Sequence, residues 1–262
     1  MGWALGMPAV SDKSAHATSF IVPALDEEGV VEGVVRAVWA TVDRLIETYE
    51  IILIDDGSAD RTGDIMDRLA SELPRVRVMH NETNLGLGAS YQRGVAAAKL
   101  DYVMMLCGDG GVPATSLPPI IEKIGTADIV VPYMTNLEQI KTPMRYLISR
   151  SYTNLLNVLS GYRLHYYNGL PVHRRAFLNQ ITVTSAGFGF QGEILVKLLK
   201  SGCTYVQVPV PGAETTNKTS VFRVRNLLSV TGTLLLLVLE LITFKRLELA
   251  SARPFARSEE AH

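Results

Sequence analysis

The sequence has few cysteines, almost no net charge and no histidine spacing typical of a zinc site. Two cysteines among 262 residues, Cys107 and Cys203, show no CxxC spacing, which argues against a disulfide-stapled domain and favours a reduced, cytoplasmic protein. The 25 Lys and Arg residues nearly balance 26 Asp and Glu residues, so we expect no basic surface for nucleic acid. The five histidines form no HExxH pattern, so no zinc site is expected.

Long hydrophobic runs are also scarce. The first ten residues are apolar, but they have neither a basic start nor a long apolar core, so they do not predict a signal peptide. Residues 1–17 are expected to form a flexible tail. Residues 227–244 are nearly all apolar, and about 18 residues is the lower limit for a membrane span.

Polar residues interrupt this last stretch and basic residues flank it. A helix at a membrane surface or at an oligomer interface is therefore favoured over a true span or an ordinary core helix. Residues 217–250 are predicted to form a basic loop and this apolar helix, and residues 251–262 a polar tail. Contact with the inner face of the membrane and contact with a second copy of the chain are the alternatives for the helix.

Hydrophobic residues make up 47% of the chain, enough for a large core. Short β-branched segments alternate with amphipathic segments of helical period. The predicted strands cover residues 19–23, 51–54, 76–80, 102–107, 128–132 and 205–210, and the predicted helices cover residues 28–49, 62–73, 91–99, 115–124, 145–160 and 187–201. Strand–helix units in series with short connections predict an α/β fold with a single, mostly parallel sheet.

The clearest chemical signal is EIILIDDGSADRTGD at residues 50–64. Its apolar start predicts a buried strand that stops abruptly at Asp55, Asp56 and Gly57. Two adjacent carboxylates repel each other, and a turn needs only one. Ligands of open α/β sheets bind outside the carboxyl ends of strands, so the stretch predicts a binding site; an ordinary turn of Asp-Gly-Ser chemistry is the alternative.

Three other predicted strands end in comparable residues. Residues 26–28 are all acidic and follow the first strand; complementarity with the dipole of the next helix is the alternative explanation for them. Gly88 lies at the start of a glycine-containing helix after the third strand. A glycine there allows the backbone to approach a diphosphate, or allows the helix to pack closely on the sheet. Asp109 lies among glycines after the fourth strand, as a binding or a turn residue. These acidic strand ends are predicted to collect along one edge of the sheet.

Taken in order, these motifs resemble the family 2 glycosyltransferases of GT-A fold, and most closely the dolichol-phosphate mannose synthase group. Residues 23–28 stand where the family has PxxNEE, and residues 55–62 match its DDGSxDxT. Residues 84–89 match NxGxGxA. The matches extend over residues 20–229, with a catalytic domain over residues 18–216. The further matches are Gly94, Arg145, Ser149, Arg150, Asn168, Gly169, Gly202, Val208, Pro209, Val210 and, as a variant of a GKSK loop, residues 217–220.

This resemblance implies transfer of a sugar from a nucleoside diphosphate sugar, UDP- or GDP-linked, with inversion. It implies Mg²⁺ or Mn²⁺ on the diphosphate, with Asp109 as its protein ligand and as a catalytic residue. The residues implied to contact the nucleotide sugar are Pro23, Ala24, Leu25, Glu27, Asp55, Asp56, Gly57, Gly88 and Asp109.

The expected acceptor is a polyprenyl phosphate. A phosphate is already a nucleophile at neutral pH and needs cations to hold it. The candidate cations are Arg145, Arg150, Lys218 and Arg223. A hydroxyl acceptor would need a general base instead, and Glu193 is the candidate; a carboxylate that interacts with its helix dipole is the alternative role for Glu193.

The chain departs from the family pattern at three positions. The metal-binding DxD falls on Cys107, Gly108 and Asp109, a family Arg after the fifth strand falls on Met134, and a family Asp falls on His165. These changes leave two alternatives to a polyprenyl-phosphate glycosyltransferase. One is a glycosyltransferase acting on a hydroxyl or amine of a small molecule, and the other is a nucleotide-sugar-binding homologue without catalysis.

Overall fold

The computed structural model describes residues 13–185, 187 and 189–212. The predicted cations Lys218 and Arg223 and the predicted apolar helix at residues 227–244 lie outside the described residues. The last residues of the tail predicted for residues 1–17 are attached to the fold. Lys13 Nζ donates to the carbonyl of Asp43 at 2.6 Å, and Ser14 forms a bridge with Ile46.

Seven strands form one sheet in the described part of the chain, in the order β3-β2-β1-β4-β6-β5-β7. All neighbouring strands pair in parallel except β6, which is antiparallel to both β4 and β5. The predicted α/β fold with a mostly parallel sheet is therefore confirmed. The strands are β1 Thr18–Ala24, β2 Tyr49–Asp55, β3 Val76–His80, β4 Tyr102–Met105, β5 Ile129–Met134, β6 Val172–Arg174 and β7 Tyr205–Val210.

Helices connect the strands, and the core forms between them and the sheet. All side chains at positions 51–54 of β2 are fully buried, as expected for a short β-branched run with helices on both faces of the sheet. The helices are α1 Val31–Leu45, α2 Thr62–Glu72, α3 Leu87–Ala97, α4 Leu117–Lys123, α5 Leu137–Ile140, α6 Pro143–Ser160, α7 Arg175–Leu178 and α8 Phe190–Lys200.

The sequence did not predict β6, and it predicted a longer α1. A three-residue strand has too few positions to show a period of two, so alternation could not reveal it. His173 at its centre is fully buried, and burial lowers the pKa of this imidazole to about 3, which keeps it uncharged inside the sheet. The helix predicted for residues 28–49 spans only Val31–Leu45, because acidic residues before it form a loop and β2 already begins at Tyr49.

The parallel strands all end at the same edge of the sheet. Ala24, Asp55, His80, Met105 and Met134 are the last residues of β1, β2, β3, β4 and β5. In the sheet, β4 and β5 are separated by β6, so two strand spacings, about 10 Å, separate the segments that follow them. The predicted gathering of strand ends along one edge is thus the arrangement found.

Candidate functional site

The loop after β1 and the loop after β2 are joined by reciprocal hydrogen bonds. Asp26 adopts a positive φ of 54° to make them, a conformation that Asp tolerates better than most residues. Asp26, Glu27 and Glu28 thus shape a loop between β1 and α1, rather than the first turn of that helix. The bonds run from Asp26 N to Ser58 Oγ (3.1 Å), Ala59 N to Asp26 Oδ1 (2.8 Å), Glu27 N to Thr62 Oγ1 (2.7 Å), Glu28 N to Asp60 Oδ2 (3.1 Å) and Arg61 N to Glu28 Oε2 (3.1 Å).

Asp56, predicted to contact the nucleotide sugar, is used inside the protein. Its side chain is buried, and its carboxylate ties the end of β3 to the start of α3. Gly57 beside it has a φ of +74°, and a Cβ there would lie 2.7 Å from the backbone of Thr83, so glycine is required. The donors to Asp56 are Asn81 Nδ2 (2.7 Å), Leu85 N (2.9 Å), Gly86 N (2.9 Å) and Ser90 Oγ (2.8 Å).

Asp55 is paired with a histidine at the end of the neighbouring strand. His80 Nδ1 lies 3.0 Å from Asp55 Oδ2, and Ser58 N donates to Asp55 Oδ1 at 3.0 Å. Burial raises the pKa of Asp55, but the hydrogen bonds from Ser58 and His80 outweigh it and leave this pKa lowered. The bond to Asp55, with a smaller contribution from Asp67, raises the pKa of His80 against the opposing effect of burial. The pair is therefore a candidate ion pair at the predicted nucleotide side.

The loop after β4 brings Asp109 to the end of β1. Gly108 N donates to the carbonyl of Pro23 at 3.1 Å, and a Cβ on Gly108 would lie 2.6 Å from the Cβ of Ala24, so glycine permits this approach. Burial raises the pKa of the Cys107 thiol, and the negative charges of Asp109 and Glu27 raise it further. The structure therefore brings the predicted residues Glu27 and Asp109 together around Cys107.

Pro23 and Ala24, also predicted to contact the nucleotide sugar, are buried under this loop, whereas Leu25 is half-buried. Gly88 is buried in the first turn of α3, directly after the loop that Asp56 holds. The structure thus gathers these predicted residues at one end of the sheet. Several of them are buried, which limits the surface that they can offer to a ligand.

The residues around Asp109 could hold a divalent cation only if a bound ligand and water supplied further oxygen atoms to it. Among the described residues, no group of three or more His, Cys, Asp or Glu side chains could hold a metal ion. Asp109 Oδ1 accepts from Gly111 N at 2.9 Å, and no described residue donates to Oδ2. Mg²⁺ in phosphate sites commonly takes one or two carboxylates, with substrate oxygens and water completing the shell. One open carboxylate oxygen is compatible with that mode of binding.

A second feature is a cavity of about 260 Å³ at the carboxyl end of β5. Tyr133 and His165 form one wall, with their rings stacked at 4.3 Å. His165 N and Nδ1 both donate to Gln207 Oε1, at 2.8 and 2.9 Å, which fixes the ring. The lining residues are Tyr133, Met134, Thr135, Leu137, Glu138, Tyr146, Ser149, Arg150, Thr153, His165 and Tyr166.

Of the predicted acceptor-binding cations in the described part, Arg150 lines this cavity and Arg145 does not. Met134 and His165, two of the three positions where the sequence departs from its family pattern, both line it. Lys141 is a cation that the sequence analysis missed. Its Nζ donates to Ser149 Oγ at 3.0 Å and to Tyr166 OH at 3.1 Å, and so joins the start of α6 to the far wall. A lone lysine before a helix gives no sequence signal for such a role.

Glu193, predicted as a general base, lies in the first turn of α8 and is 1% exposed. Thr184 N, Ser185 N and Lys197 Nζ all donate to its carboxylate, the last at 2.6 Å. Burial raises the pKa of Glu193, but these donors outweigh it and leave this pKa lowered. A buried carboxylate with this many donors is a poor proton acceptor, so the geometry gives no support to the predicted role.

No helix in the described part of the chain is long and apolar enough to cross a membrane.

A model of glycosyl transferase family 2 matches residues 19–180, more than half of the chain. The chain belongs to this family. The predicted resemblance is thereby confirmed, and the match includes the loops after β1, β2 and β4 and all of the cavity residues.

Curated relatives agree with this assignment. The chain is 28% identical over 180 residues to undecaprenyl-phosphate mannosyltransferase of Micrococcus luteus, covering 63% of this chain and 72% of the relative. It is 30% identical over 176 residues to polyprenol monophosphomannose synthase of Mycolicibacterium smegmatis, covering 63% and 66%. It is 26% identical over 230 residues to glycosyltransferase AglD of Haloferax volcanii, covering 84% of this chain and 37% of that protein's length.

Solved structures share the fold. Glucosyl-3-phosphoglycerate synthase from Mycobacterium tuberculosis, in complex with Mn²⁺, UDP and glucosyl-3-phosphoglycerate, matches with a TM-score of 0.65 at 20% identity, covering 85% of this chain and 80% of that one. The same enzyme with Mg²⁺ and UDP also matches with a TM-score of 0.65. The predicted GT-A fold is confirmed, and divalent metals accompany UDP in these structural neighbours.

Proposed function

We propose that the chain transfers a sugar, with inversion, from a nucleoside diphosphate sugar to a polyprenyl phosphate. The observation that carries the proposal is the pairing of two features along one sheet edge. Asp109 lies in the loop after β4, and the cavity that contains Arg150 opens after β5, two strand positions away. The names of two relatives, undecaprenyl-phosphate mannosyltransferase and polyprenol monophosphomannose synthase, support this acceptor class.

In this proposal the nucleotide lies against the joined loops after β1 and β2, near Glu27 and Asp55. Asp109 would hold a divalent cation through its open oxygen, and that cation would supply neutralisation of charge developing on the leaving diphosphate. Asp109 is thus the residue of the degenerate CGD motif that keeps the metal-binding function, because a thiol with a raised pKa is a poor ligand for Mg²⁺ or Mn²⁺.

Arg150 would hold the acceptor phosphate. Its guanidinium makes no hydrogen bond or ion pair with any described residue, so its donors are available for a phosphate. A phosphate monoester loses its second proton near pH 6, and hence it attacks the anomeric carbon without a base. The buried, donor-saturated state of Glu193 is consistent with a reaction that needs none.

A hydroxyl acceptor on a small molecule is the second candidate, favoured by Met134 and His165 in the cavity wall. Both replace charged residues of the family pattern, and stacked Tyr133 and His165 rings offer a flat surface to a ring-shaped acceptor. In that case the imidazole of His165, which lines the cavity, could take the hydroxyl proton in place of Glu193.

Calorimetric titration of UDP- and GDP-sugars, with and without Mg²⁺ or Mn²⁺, tests the donor site. Asp109→Asn keeps an acceptor for Gly111 N but removes the charge, and we expect it to abolish metal-dependent binding. Asp101→Asn, at an exposed carboxylate after α3, is the matched control and should bind like the parent. Binding that ignores both metal and Asp109 would contradict the proposed donor site.

Transfer of labelled sugar to a short-chain polyprenyl phosphate tests the acceptor. We expect product with this phosphate and none with the corresponding polyprenol, since the free alcohol would need a base. Product from water-soluble hydroxyl acceptors alone would favour the second candidate. Donor binding without turnover on any acceptor would favour the non-catalytic homologue.

A further inference from the structure

Lys141 lies between two helices, beside the cavity that follows β5. It comes directly after α5, where its backbone N donates to the carbonyl of Leu137 at 3.1 Å, and α6 begins two residues later at Pro143. Its Nζ donates to Ser149 Oγ at 3.0 Å and to Tyr166 OH at 3.1 Å, and lies 4.9 Å from the centre of the Tyr166 ring. Both hydroxyl residues line the cavity, so the ammonium lies within hydrogen-bond distance of its wall.

The bonds from Lys141 determine what the two hydroxyls have left to offer. An ammonium group can only donate, so Ser149 Oγ and Tyr166 OH are the acceptors in these bonds. Each hydroxyl keeps one hydrogen of its own, and no residue in the described part of the chain accepts a hydrogen bond from either. A hydroxyl that accepts from a cation is a stronger donor, because linked hydrogen bonds polarise one another. Two such donors in one wall favour an anionic oxygen as their partner.

The net charge of the cavity wall also depends on Lys141. Counting His165 as neutral, the described lining residues carry one positive charge, on Arg150, and one negative charge, on Glu138, so the two cancel. The carboxylate of Glu138 accepts from Tyr146 OH at 2.7 Å and stays beside the cavity. A phosphate monoester carries a charge of about −1.5 to −2 at pH 7, and an uncharged wall gives it little attraction. Lys141 forms no ion pair with a described residue, and its charge makes the wall positive.

We propose that Lys141 is a positioning residue for the acceptor phosphate. It holds Ser149 and Tyr166 so that both hydroxyls donate to phosphate oxygens, while Arg150 pairs with the phosphate directly. Lys141 thereby supplies, from another place in the chain, the positive charge that the family pattern has at Met134. This role rests on the proposed function, because the phosphate is the acceptor of that reaction.

A purely structural role for Lys141 predicts different kinetics. If Lys141 only braced the start of α6 against Tyr166, then its loss would lower stability and disturb the use of both substrates. A residue that positions the acceptor phosphate should instead change the KM for the acceptor and leave the donor side alone. The two roles therefore differ in which kinetic constant changes.

Transfer to a short-chain polyprenyl phosphate in detergent, at saturating nucleotide sugar, separates them. Lys141→Met nearly keeps the length of the side chain but removes its charge, and should raise the KM for the acceptor roughly tenfold or more. The kcat should stay within about threefold and the KM for the nucleotide sugar within about twofold. Lys141→Arg keeps the charge and should recover most of the loss.

Lys123→Met is the matched control. Lys123 is as partly exposed as Lys141, but it lies at the end of α4 in an ion pair with Glu122, outside the cavity. Both kinetic constants of this variant should match those of the parent. Thermal unfolding of each variant shows whether it is folded at the assay temperature.

A double-mutant cycle tests whether Lys141 acts through the two hydroxyls. Ser149→Ala together with Tyr166→Phe removes both of them and should raise the acceptor KM about as much as Lys141→Met does. Adding Lys141→Met to this pair should then raise the KM by less than about threefold more, because residues that act as one unit are not additive. A further tenfold rise would overturn the positioning role, since Lys141 would then act on the phosphate without the hydroxyls.

An acceptor KM that matches the parent in a folded Lys141→Met variant also overturns the role. The same holds if the unfolding temperature and kcat fall while the acceptor KM stays constant, because Lys141 would then be a brace. In each of these cases, turnover of the parent with polyprenyl phosphate leaves the proposed function standing. A parent that makes product from hydroxyl acceptors alone contradicts the proposed function, and the role of Lys141 with it.

Discussion

The two halves of the candidate site use their side chains differently. At the ends of β1 and β2, the carboxylates of Asp26, Asp56 and Asp60 accept hydrogen bonds from backbone amides of neighbouring loops. In the cavity after β5, Arg150 has no hydrogen bond or ion pair with a described residue, and Met134 is one of the lining residues. The long, specific motif thus fixes backbone geometry on the proposed nucleotide side. Met134 and His165, two of the three departures from the family pattern, line the cavity in which we propose that the acceptor binds.

This difference separates scaffolding carboxylates from those available to ligands. A carboxylate whose lone pairs are all taken contributes by holding backbone amides in place, which preorganises a site. One with an open oxygen, as at Asp109, can contact a cation or substrate. Substitutions at these two kinds of carboxylate should therefore separate loss of stability from loss of ligand binding.

The largest expected effect is on stability, at Glu193. Glu193→Gln removes the charged partner of Lys197 inside the protein, where both side chains are almost fully buried, and should lower the free energy of unfolding by about 3–5 kcal/mol. Urea titration measures it. Glu122→Gln, in an exposed ion pair with Lys123, should change stability by less than about 0.5 kcal/mol. A stable but inactive Glu193→Gln enzyme would instead make Glu193 the base.

The next effect concerns Asp56. Asp56→Asn replaces one acceptor oxygen by an NH₂ group among four donors, and we expect a loss of about 2–3 kcal/mol in the free energy of unfolding. Asp55→Asn is the comparison, with a smaller loss, because its partner His80 is more exposed. If Asp56→Asn unfolds like the parent but no longer binds a nucleotide sugar in calorimetry, then Asp56 contacts the ligand and is not a scaffold.

The arginines of α6 allow a test within one helix. Arg150→Gln should raise the KM for a short-chain polyprenyl phosphate in detergent by about tenfold or more, because a charge-assisted bond to the phosphate is lost. Arg145→Gln should leave this KM within about twofold, since Arg145 does not line the cavity. A larger effect at Arg145 would mean that the acceptor phosphate binds outside the cavity.

Much of the fold could be predicted from the sequence because its signals are local. The runs of β2 and β7 and the period of α2 each identify an element from adjacent residues. The strand β6 could not be predicted, since its three residues owe their conformation to pairing with β4 and β5, which are distant in sequence. Parallel strand order then places the acidic ends together, which is why the predicted edge of the sheet is the observed one.

The individual roles were harder to predict, because a motif letter does not show which partners a side chain has. Asp55 and Asp56 are adjacent and identical in type, yet one pairs with a histidine and the other with the start of α3. The bonds that distinguish them come from residues 25 or more positions away. Likewise, Lys141 can donate to both Ser149 and Tyr166, which line the cavity, only because the fold brings Tyr166 next to α6.

The smallest expected effect is a pH dependence at the Asp55–His80 pair. The raised pKa of His80 means that its stabilisation is complete below about pH 6.5 and is lost as the pH rises through the folded value. The lowered pKa of Asp55 means that its contribution is present above about pH 4 and is lost only in stronger acid. The pair should therefore stabilise the fold between these limits.

His80→Gln tests this, with urea unfolding of parent and variant at about pH 5.5 and about pH 9. The parent should be the more stable at the lower pH by no more than about 1 kcal/mol, because the His80 side chain is 42% exposed and solvent screens the pair. The difference should shrink at the higher pH. Asp67→Asn, which removes the more exposed partner, should reproduce only part of it. A difference that grows with pH would mean that neutral His80 stabilises the end of β3, and the charge of Asp55 would then remain available to a ligand.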